Sequence, residues 1–382
     1  MKNNQRKIAL VIKTDGLEYD DRVRKEILTV QKLFQNISFK IFAMLPENKE
    51  TEGVTGYGVP YKTVYVPARD KYPSAKKAML KGYQFYKVLK DDLKDFDAIW
   101  AANVDSSFIP MLAKSNRILW DLHELPGNFL GGALKGIVLK YIFRRCKVVV
   151  HANPQRASYL KELGLLKDPD KHYALRNYPN FDDEEKDTDT TFESFMEWKK
   201  DRNCVYLQGL ANDSRASYES IKAVLNFPEL CCVVVGGFDT KAKERLDSEF
   251  GENLKERVNF IGKIAQLRIP HYVKQCYMSL IFYKNVRPNN YYCEANRFYQ
   301  SVIMGLPVVV GSNPSMKELV DEYGFGVAID NDGSDITKIS DGIKDVVRNY
   351  QSYRENNLKY RDRLLWDNQE GKIKEIVNRL FS

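Results

Sequence analysis

The sequence predicts an α/β protein made of two doubly wound domains in tandem. Three observations carry this. The chain has 382 residues, about twice the length of an ordinary domain. Short β-branched runs alternate with amphipathic helical stretches, the pattern of a parallel sheet covered on both faces. An acidic break interrupts the alternation, which then starts again. With 43% apolar and 29% charged residues, 22 Gly and 14 Pro, the composition is that of a globular chain and excludes a disordered, collagenous or coiled-coil one.

Residues 7–12, KIALVI, read as a buried first strand, followed by the loop 14–20 and by Val23, Ile27, Val30 and Phe34 at helical spacing. Further strands are expected at 39–44, 63–66, 98–101, 118–121 and 148–151. Residues 177–194, NYPNFDDEEKDTDTTFES, are polar and acidic and read as a linker or exposed loop. Beyond it come strands at 204–207, 231–235, 258–261, 279–282 and 307–310, and a helix at 218–225. The expected division is a first domain at 1–176, a linker at 177–194, a second domain at 195–349 and a charged helical segment at 350–382 that packs back on the first domain. Ligands of such sheets sit beyond the carboxyl ends of the strands, so the cleft between two facing domains is the expected site. The first strand leads into TDGLEYDD, with no G-x-G-x-x-G and no Walker loop anywhere, which argues against a nicotinamide dinucleotide or a P-loop.

The formal charge is +8 and is unevenly spread: residues 1–180 carry 31 basic and 19 acidic side chains, and residues 181–382 carry 28 and 32. A basic half points to an anionic partner. Zinc-finger spacing, an RNP-like aromatic run and a long basic arm are all missing, so no nucleic acid is expected. Cys146, Cys204, Cys231, Cys232, Cys276 and Cys293 form no C-x-x-C pair and read as reduced thiols. Apolar runs fall short of the roughly 20 residues that span a bilayer, and the first is too short for a signal-peptide core. The expected location is cytoplasmic, with peripheral attachment to the inner face of a membrane left open. Two basic amphipathic helices are expected at 76–94 and 134–147, where lysines and arginines alternate with Met79, Tyr83, Ile137 and Ile142; such helices can lie on an anionic membrane surface, or are ordinary helices with a solvated lysine face.

The stretch 289–311, NNYYCEANRFYQSVIMGLPVVVG, predicts a helix over 296–304 turned by Gly305 into a strand. Free amides and the positive dipole end at its start, with Arg297 in the first turn, form a site for a diphosphate. A strand ending at Gly209 followed by Arg215 suits the same anion. Gly236, and Gly262 with Lys263, repeat the arrangement of strand, glycine and turn. In the first half, Asp121, His123 and Glu124 stand at a strand end, where His suits hydrogen bonding to a hydroxyl. His151 is a second strand-end candidate, while His172 and His271 read as loop and helix surface residues. No clustered ligand spacing indicates a metal site.

These motifs, in order, carry a resemblance: D-D-R-V (20–23), W-D-L-H-E (120–124), R-N-Y-P (176–179), Gly209 with Arg215, F-I-G-K (260–263), N-R-F-Y-Q with M-G-L-P-V-V (296–309) and Trp366. Together they resemble a retaining glycosyltransferase of family 4 with the GT-B fold, over nearly the whole chain. The resemblance implies a UDP- or GDP-linked nucleotide-sugar held by the second domain, with no cofactor and no metal. The acceptor, on the first domain, would be a glycan or lipid-linked glycan, as in surface polysaccharide or lipid-linked oligosaccharide synthesis, with an anionic membrane surface as a candidate partner. It assigns His123, Arg215 and Arg297 to catalysis. Gly209, Gly236, Lys263, Glu294, Asn296 and Gln300 fall on the donor side, and Asp15, Gly16, Asp121, Glu124 and His151 on the acceptor side. The chain departs from the family pattern where Gln300 replaces a ribose-binding Glu, Leu210 an Arg and Ala216 a Gly, and where Tyr292 stands near the place of an earlier Glu. A non-catalytic GT-B subunit that binds a glycan or a partner is the alternative, and an epimerase or hydrolase of similar fold is a third.

Overall fold

The computed structural model describes residues 5–72, 76–181, 190–209, 212–265 and 268–382. The chain divides into a first unit, Met1–Asn177 with Gln369–Ser382, and a second, Tyr178–Asn368.

The first unit holds an eight-stranded sheet. Its strands are β1 (Arg6–Lys13), β2 (Ile37–Met44), β3 (Thr51–Val54), β4 (Pro60–Thr63), β5 (Ala98–Ala102), β6 (Ile118–Leu122), β7 (Val148–His151) and β8 (His172–Ala174), in the order β3-β4-β2-β1-β5-β6-β7-β8. All neighbours are parallel except β3 with β4. Ile8 to Ile12 are buried in unbroken succession, as a strand covered on both faces requires. The helix Asp21–Leu33 follows, its start capped by Asp20, whose carboxylate accepts from the Val23 amide, and Val23, Ile27 and Val30 are buried. The last helix of the chain, Glu370–Phe381, belongs to this unit. Glu370 pairs with Lys32 at 2.6 Å, Lys372 donates to the Ala174 carbonyl, and the Arg6 guanidinium lies 4.5 Å from the centre of the Phe381 ring.

The second unit holds a parallel six-stranded sheet: β9 (Asn203–Gln208), β10 (Leu230–Val235), β11 (Val258–Gly262), β12 (Met278–Ile281), β13 (Val308–Val310) and β14 (Gly326–Ala328), ordered β11-β10-β9-β12-β13-β14. This is the doubly wound order, in which the winding reverses between its first and fourth strands, β9 and β12. Tyr206, the cysteines Cys204 and Cys231, and Phe195 pack on one side of the sheet, while Val205, Cys232, Ile221 and Leu280 belong to the core cluster on the other.

Several expectations are corrected. The strand expected at 63–66 ends at Thr63 because Asn48 takes both backbone groups of Val66 with its side-chain amide. Residues 190–194, expected in the linker, open the helix Thr190–Lys199, anchored by buried Phe195 and by Phe192 edge-on to Tyr272; residues 182–189 lie outside the described residues, as does Leu210. No boundary falls at 349/350. The helix Ile336–Tyr360 bends there at Asn349 but continues, held by Tyr350 stacked 4.1 Å from Tyr277, and the chain changes unit only at Gln369. The helix expected from 76 to 94 is shorter, Ala78–Leu89. His172, expected in a surface loop, is in β8, stacked on His151 and edge-on to Phe143. Five of the six cysteines are buried, and all are free thiols.

The stacked imidazoles link pH to stability. His151 Nε2 and His172 Nδ1 are 3.0 Å apart. Burial pushes His151 down to about 3, and burial with nearby Lys171 pushes His172 down to about 4, from an ordinary 6.5. Both are neutral when folded, so their contribution is complete above pH 6.5 and is lost as pH falls below it, because only the unfolded chain takes up the protons. Denaturant unfolding should therefore lose stability between pH 6.5 and 5, above the range of ordinary carboxylates, by at most about 1.4 kcal/mol per pH unit for His151. His151→Gln should flatten that limb; an equal slope in the variant would contradict the assignment.

Candidate active site

In the second unit several of the expected site residues gather where the winding reverses. Gly209 follows β9 with φ +99°, and its amide donates to the Val235 carbonyl at 2.8 Å. Gly236 follows β10 with φ +123°, and a Cβ there would lie 2.4 Å from the Gly209 carbonyl oxygen. The strand ends approach too closely for any side chain at 236, and the positive φ at 209 is one that glycine adopts freely.

Arg215 ends the short turn Asp213–Arg215. Lys284, just beyond β12, fixes that turn: its amide donates to the Ser214 carbonyl, and its ammonium group pairs with Asp213 at 2.7 Å and Glu219 at 2.8 Å. Ala216, which follows, takes φ +49°, a conformation that glycine adopts freely and alanine does not. Arg297 is the second residue of the helix Asn296–Ile303 and is 7% exposed. The two guanidinium groups share the Tyr283 ring, with Arg297 at 4.8 Å and Arg215 at 5.5 Å from its centre. Both also flank Gly209: a Cβ there would meet Arg215 Nη1 at 2.3 Å and Arg297 Nη1 at 3.5 Å. Neither forms an ion pair with a described carboxylate, and the first turn of the helix holds no acidic residue. Two like charges at the positive end of a helix suit an anion.

The loop from β12 to this helix is clamped from behind. Buried Asn313 donates to the carbonyls of Tyr283, Asn290 and Tyr291, and Asp332 accepts from the Asn285 amide at 2.9 Å. Gln300 lies one turn along the helix; its side-chain oxygen is shielded from solvent and accepts no hydrogen bond from a described residue. Asn296 is exposed and Glu294 half-buried. Lys263 is exposed beyond β11, next to Gly262, whose carbonyl accepts from the Gly236 amide at 2.6 Å.

In the first unit, Asp121 ends β6 fully buried. Arg22 grips it with two hydrogen bonds, Nη2 to Oδ1 at 2.8 Å and Nε to Oδ2 at 3.2 Å, and also donates to the Leu175 carbonyl. His123 Nε2 lies 2.9 Å from Asp121 Oδ2, and Arg156 donates to the His123 carbonyl. Glu26, one helical turn after Arg22, is fully buried, with Oε1 3.0 Å from Arg22 Nε. Burial would raise the Asp121 carboxyl, but Arg22 and His123 outweigh it and hold it well below its usual range. Burial and the neighbouring Asp121 charge push Glu26 well above its own. Glu26, Asp121 and His123 bring atoms of ligand type within 4.8 Å of one another. The Arg22 guanidinium, hydrogen-bonded to Asp121 and 3.0 Å from Glu26 Oε1, already supplies the positive charge, so the cluster does not fit a cation.

Glu124 and Asp15 are exposed, and Gly16 lies against the Tyr19 ring. His151 is buried behind Asp121 on the adjacent strand and faces His172. Sequence reasoning missed Tyr283, Asn313 and Glu26. The last was open to discovery, because a carboxylate four residues after Arg22 shares its helix face. Asn103 was also missed: it follows β5 with φ +64°, and its backbone carbonyl accepts from the Trp120 indole.

No protein-family model matches the sequence, and neither does any curated protein. Solved structures do. Sucrose-phosphate synthase from Thermosynechococcus elongatus is 15% identical with a TM-score of 0.75, over 98% of this chain and 99% of that one. Anabaena Alr3699/HepE in complex with UDP is 14% identical with a TM-score of 0.71, over 97% and 99%. WaaG, a glycosyltransferase involved in lipopolysaccharide biosynthesis, is 13% identical with a TM-score of 0.66, over 97% and 99%. The fold is that of the two-domain GT-B glycosyltransferases.

Proposed function

We propose that the chain is a glycosyltransferase that moves a sugar from a nucleoside diphosphate, bound by the second unit, to a hydroxyl of a glycan or lipid-linked glycan bound by the first. The observation that carries this is the pair Arg215 and Arg297, two guanidinium groups without a carboxylate partner among the described residues, at the reversal point of a doubly wound sheet. Alr3699/HepE was solved with UDP and with UDP-glucose, which makes UDP the first diphosphate to test and GDP the second. As the bond from the anomeric carbon to the diphosphate breaks, Arg215, Arg297 and the helix amides take up the charge on the leaving oxygens, a task that fixed donors perform without a metal. The acceptor oxygen attacks the same carbon and its proton passes to the leaving oxygen; with both on one face, configuration is retained. Gln300 is proposed to accept from a ribose hydroxyl, and His123 to meet a sugar hydroxyl. Arg215→Ala and Arg297→Ala should each lower turnover by about 10²- to 10³-fold with little change in thermal unfolding, measured as acceptor-dependent release of nucleotide. Near-normal turnover in both would overturn the reading.

We further propose that the first unit rests on an anionic membrane surface. On the helix Ala133–Arg145, Leu134 is 80% and Ile137 62% exposed, with Tyr141 beside them and Lys135 and Arg144 also exposed. Met79, Leu80, Tyr83 and Val88 are exposed on the helix Ala78–Leu89. Apolar side chains ringed by cations suit a lipid interface. No described helix is long and apolar enough to cross a membrane. The protein should co-sediment with vesicles containing phosphatidylglycerol, less so at high salt and after Leu134→Glu with Ile137→Glu. Sedimentation indifferent to anionic lipid and salt would contradict this.

A further inference from the structure

The buried network behind His123 fixes which ring nitrogen carries the proton. We propose that Arg22 is a positioning residue that locks the Asp121 carboxylate so that His123 donates through Nε2 and presents Nδ1 as a bare acceptor to a substrate hydroxyl.

Geometry carries this. Asp121 has two oxygens and three donors around them: Oδ1 takes Arg22 Nη2 at 2.8 Å, and Oδ2 takes both Arg22 Nε at 3.2 Å and His123 Nε2 at 2.9 Å. An ionised carboxylate only accepts. The proton between Asp121 and His123 therefore belongs to Nε2, which leaves Nδ1 without one in the neutral ring. The carboxylate cannot rotate away, because the guanidinium that grips it is itself held by the Leu175 carbonyl and by Glu26. Other titratable groups surround this network on the neighbouring elements. Glu26 and Asp20 come from the helix Asp21–Leu33 and its cap, Arg156 from the helix Pro154–Glu162 through the His123 carbonyl, His151 from β7 behind Asp121, and Glu124 from the next position in the chain. Among the described residues, Asp121 alone hydrogen-bonds an imidazole nitrogen of His123.

An amide at position 121 tests the lock. In Asp121→Asn, the amide oxygen should stay on Arg22 Nη2, the shorter of the two bonds. Its NH₂ then turns to His123 Nε2, while Arg22 Nε turns wholly to Glu26 Oε1 at 3.0 Å. The imidazole must then accept at Nε2 and carry its proton on Nδ1, the reversed tautomer, as happens when an aspartate orienting a catalytic His becomes an amide.

The inference rests on the transferase reading only for what Nδ1 meets; the tautomer is measured without substrate, so the two fail separately. The chain has four histidines, and long-range ¹H–¹⁵N spectra of the full-length protein at pH 8, assigned with His123→Gln, report the protonated nitrogen of each. The wild type should show a single tautomer with the proton on Nε2, Glu26→Gln should match it, and Asp121→Asn should move the proton to Nδ1. A wild-type ring protonated on Nδ1, or a mixture of tautomers, would overturn the proposal. So would a folded Asp121→Asn protein with the proton still on Nε2. If that variant does not fold, the wild-type and Glu26→Gln spectra decide it on the same terms.

Discussion

The second unit is organised around an electrostatic imbalance. Arg215 and Arg297 meet over one tyrosine ring and beside one glycine, with no described carboxylate to neutralise them. Like charges held this close are unfavourable unless an anion joins them. The surrounding structure holds that arrangement in place. Lys284 spends its own charge on Asp213 and Glu219 to fix the turn carrying Arg215, and Asn313 and Asp332 brace the loop that leads to Arg297. The glycines at the ends of β9 and β10 keep the ground between them clear of side chains. On the proposed reading this is a diphosphate site whose stabilising charge is built before the donor arrives.

The first unit solves the opposite problem. Its ionisable groups are buried together: Arg22 lies against Asp121 and Glu26, two acids of the same neighbourhood driven apart, one held well below its ordinary range and the other pushed above its own. Removing one member of such a set strands another in a dry interior, which ties the strand end that carries His123 to the start of the helix Asp21–Leu33.

Much of this was legible in the sequence, because parallel strands buried on both faces leave continuous apolar runs. Most of the expected strands follow from that rule alone, with the glycines at 209 and 236 marking strand ends, and the helix at Arg297 follows from the turn at Gly305 that ends it. What stayed hidden depended on side chains that meet only in three dimensions. Asn48 ends a strand by bonding Val66, eighteen residues away; two phenylalanines turn an acidic linker into a helix start; and a stacked tyrosine carries a helix past the place where composition suggests a boundary. His172 looked like a surface residue because nothing in its neighbourhood announces Phe143 or His151. Arg22 was visible as part of a motif, but its partner Asp121 lies 99 positions on, beyond the reach of any local pattern.

Calorimetric titration of UDP and GDP, each against its monophosphate, tests the central claim most directly. Charge-assisted hydrogen bonds contribute about 1.5–3 kcal/mol each, and about 1.4 kcal/mol is tenfold in affinity. At least one diphosphate should therefore bind tenfold or more tightly than its monophosphate, and that preference should disappear when both arginines are replaced. Absence of binding by either diphosphate, or equal affinity for mono- and diphosphate, would contradict the account and favour a GT-B subunit without a donor site.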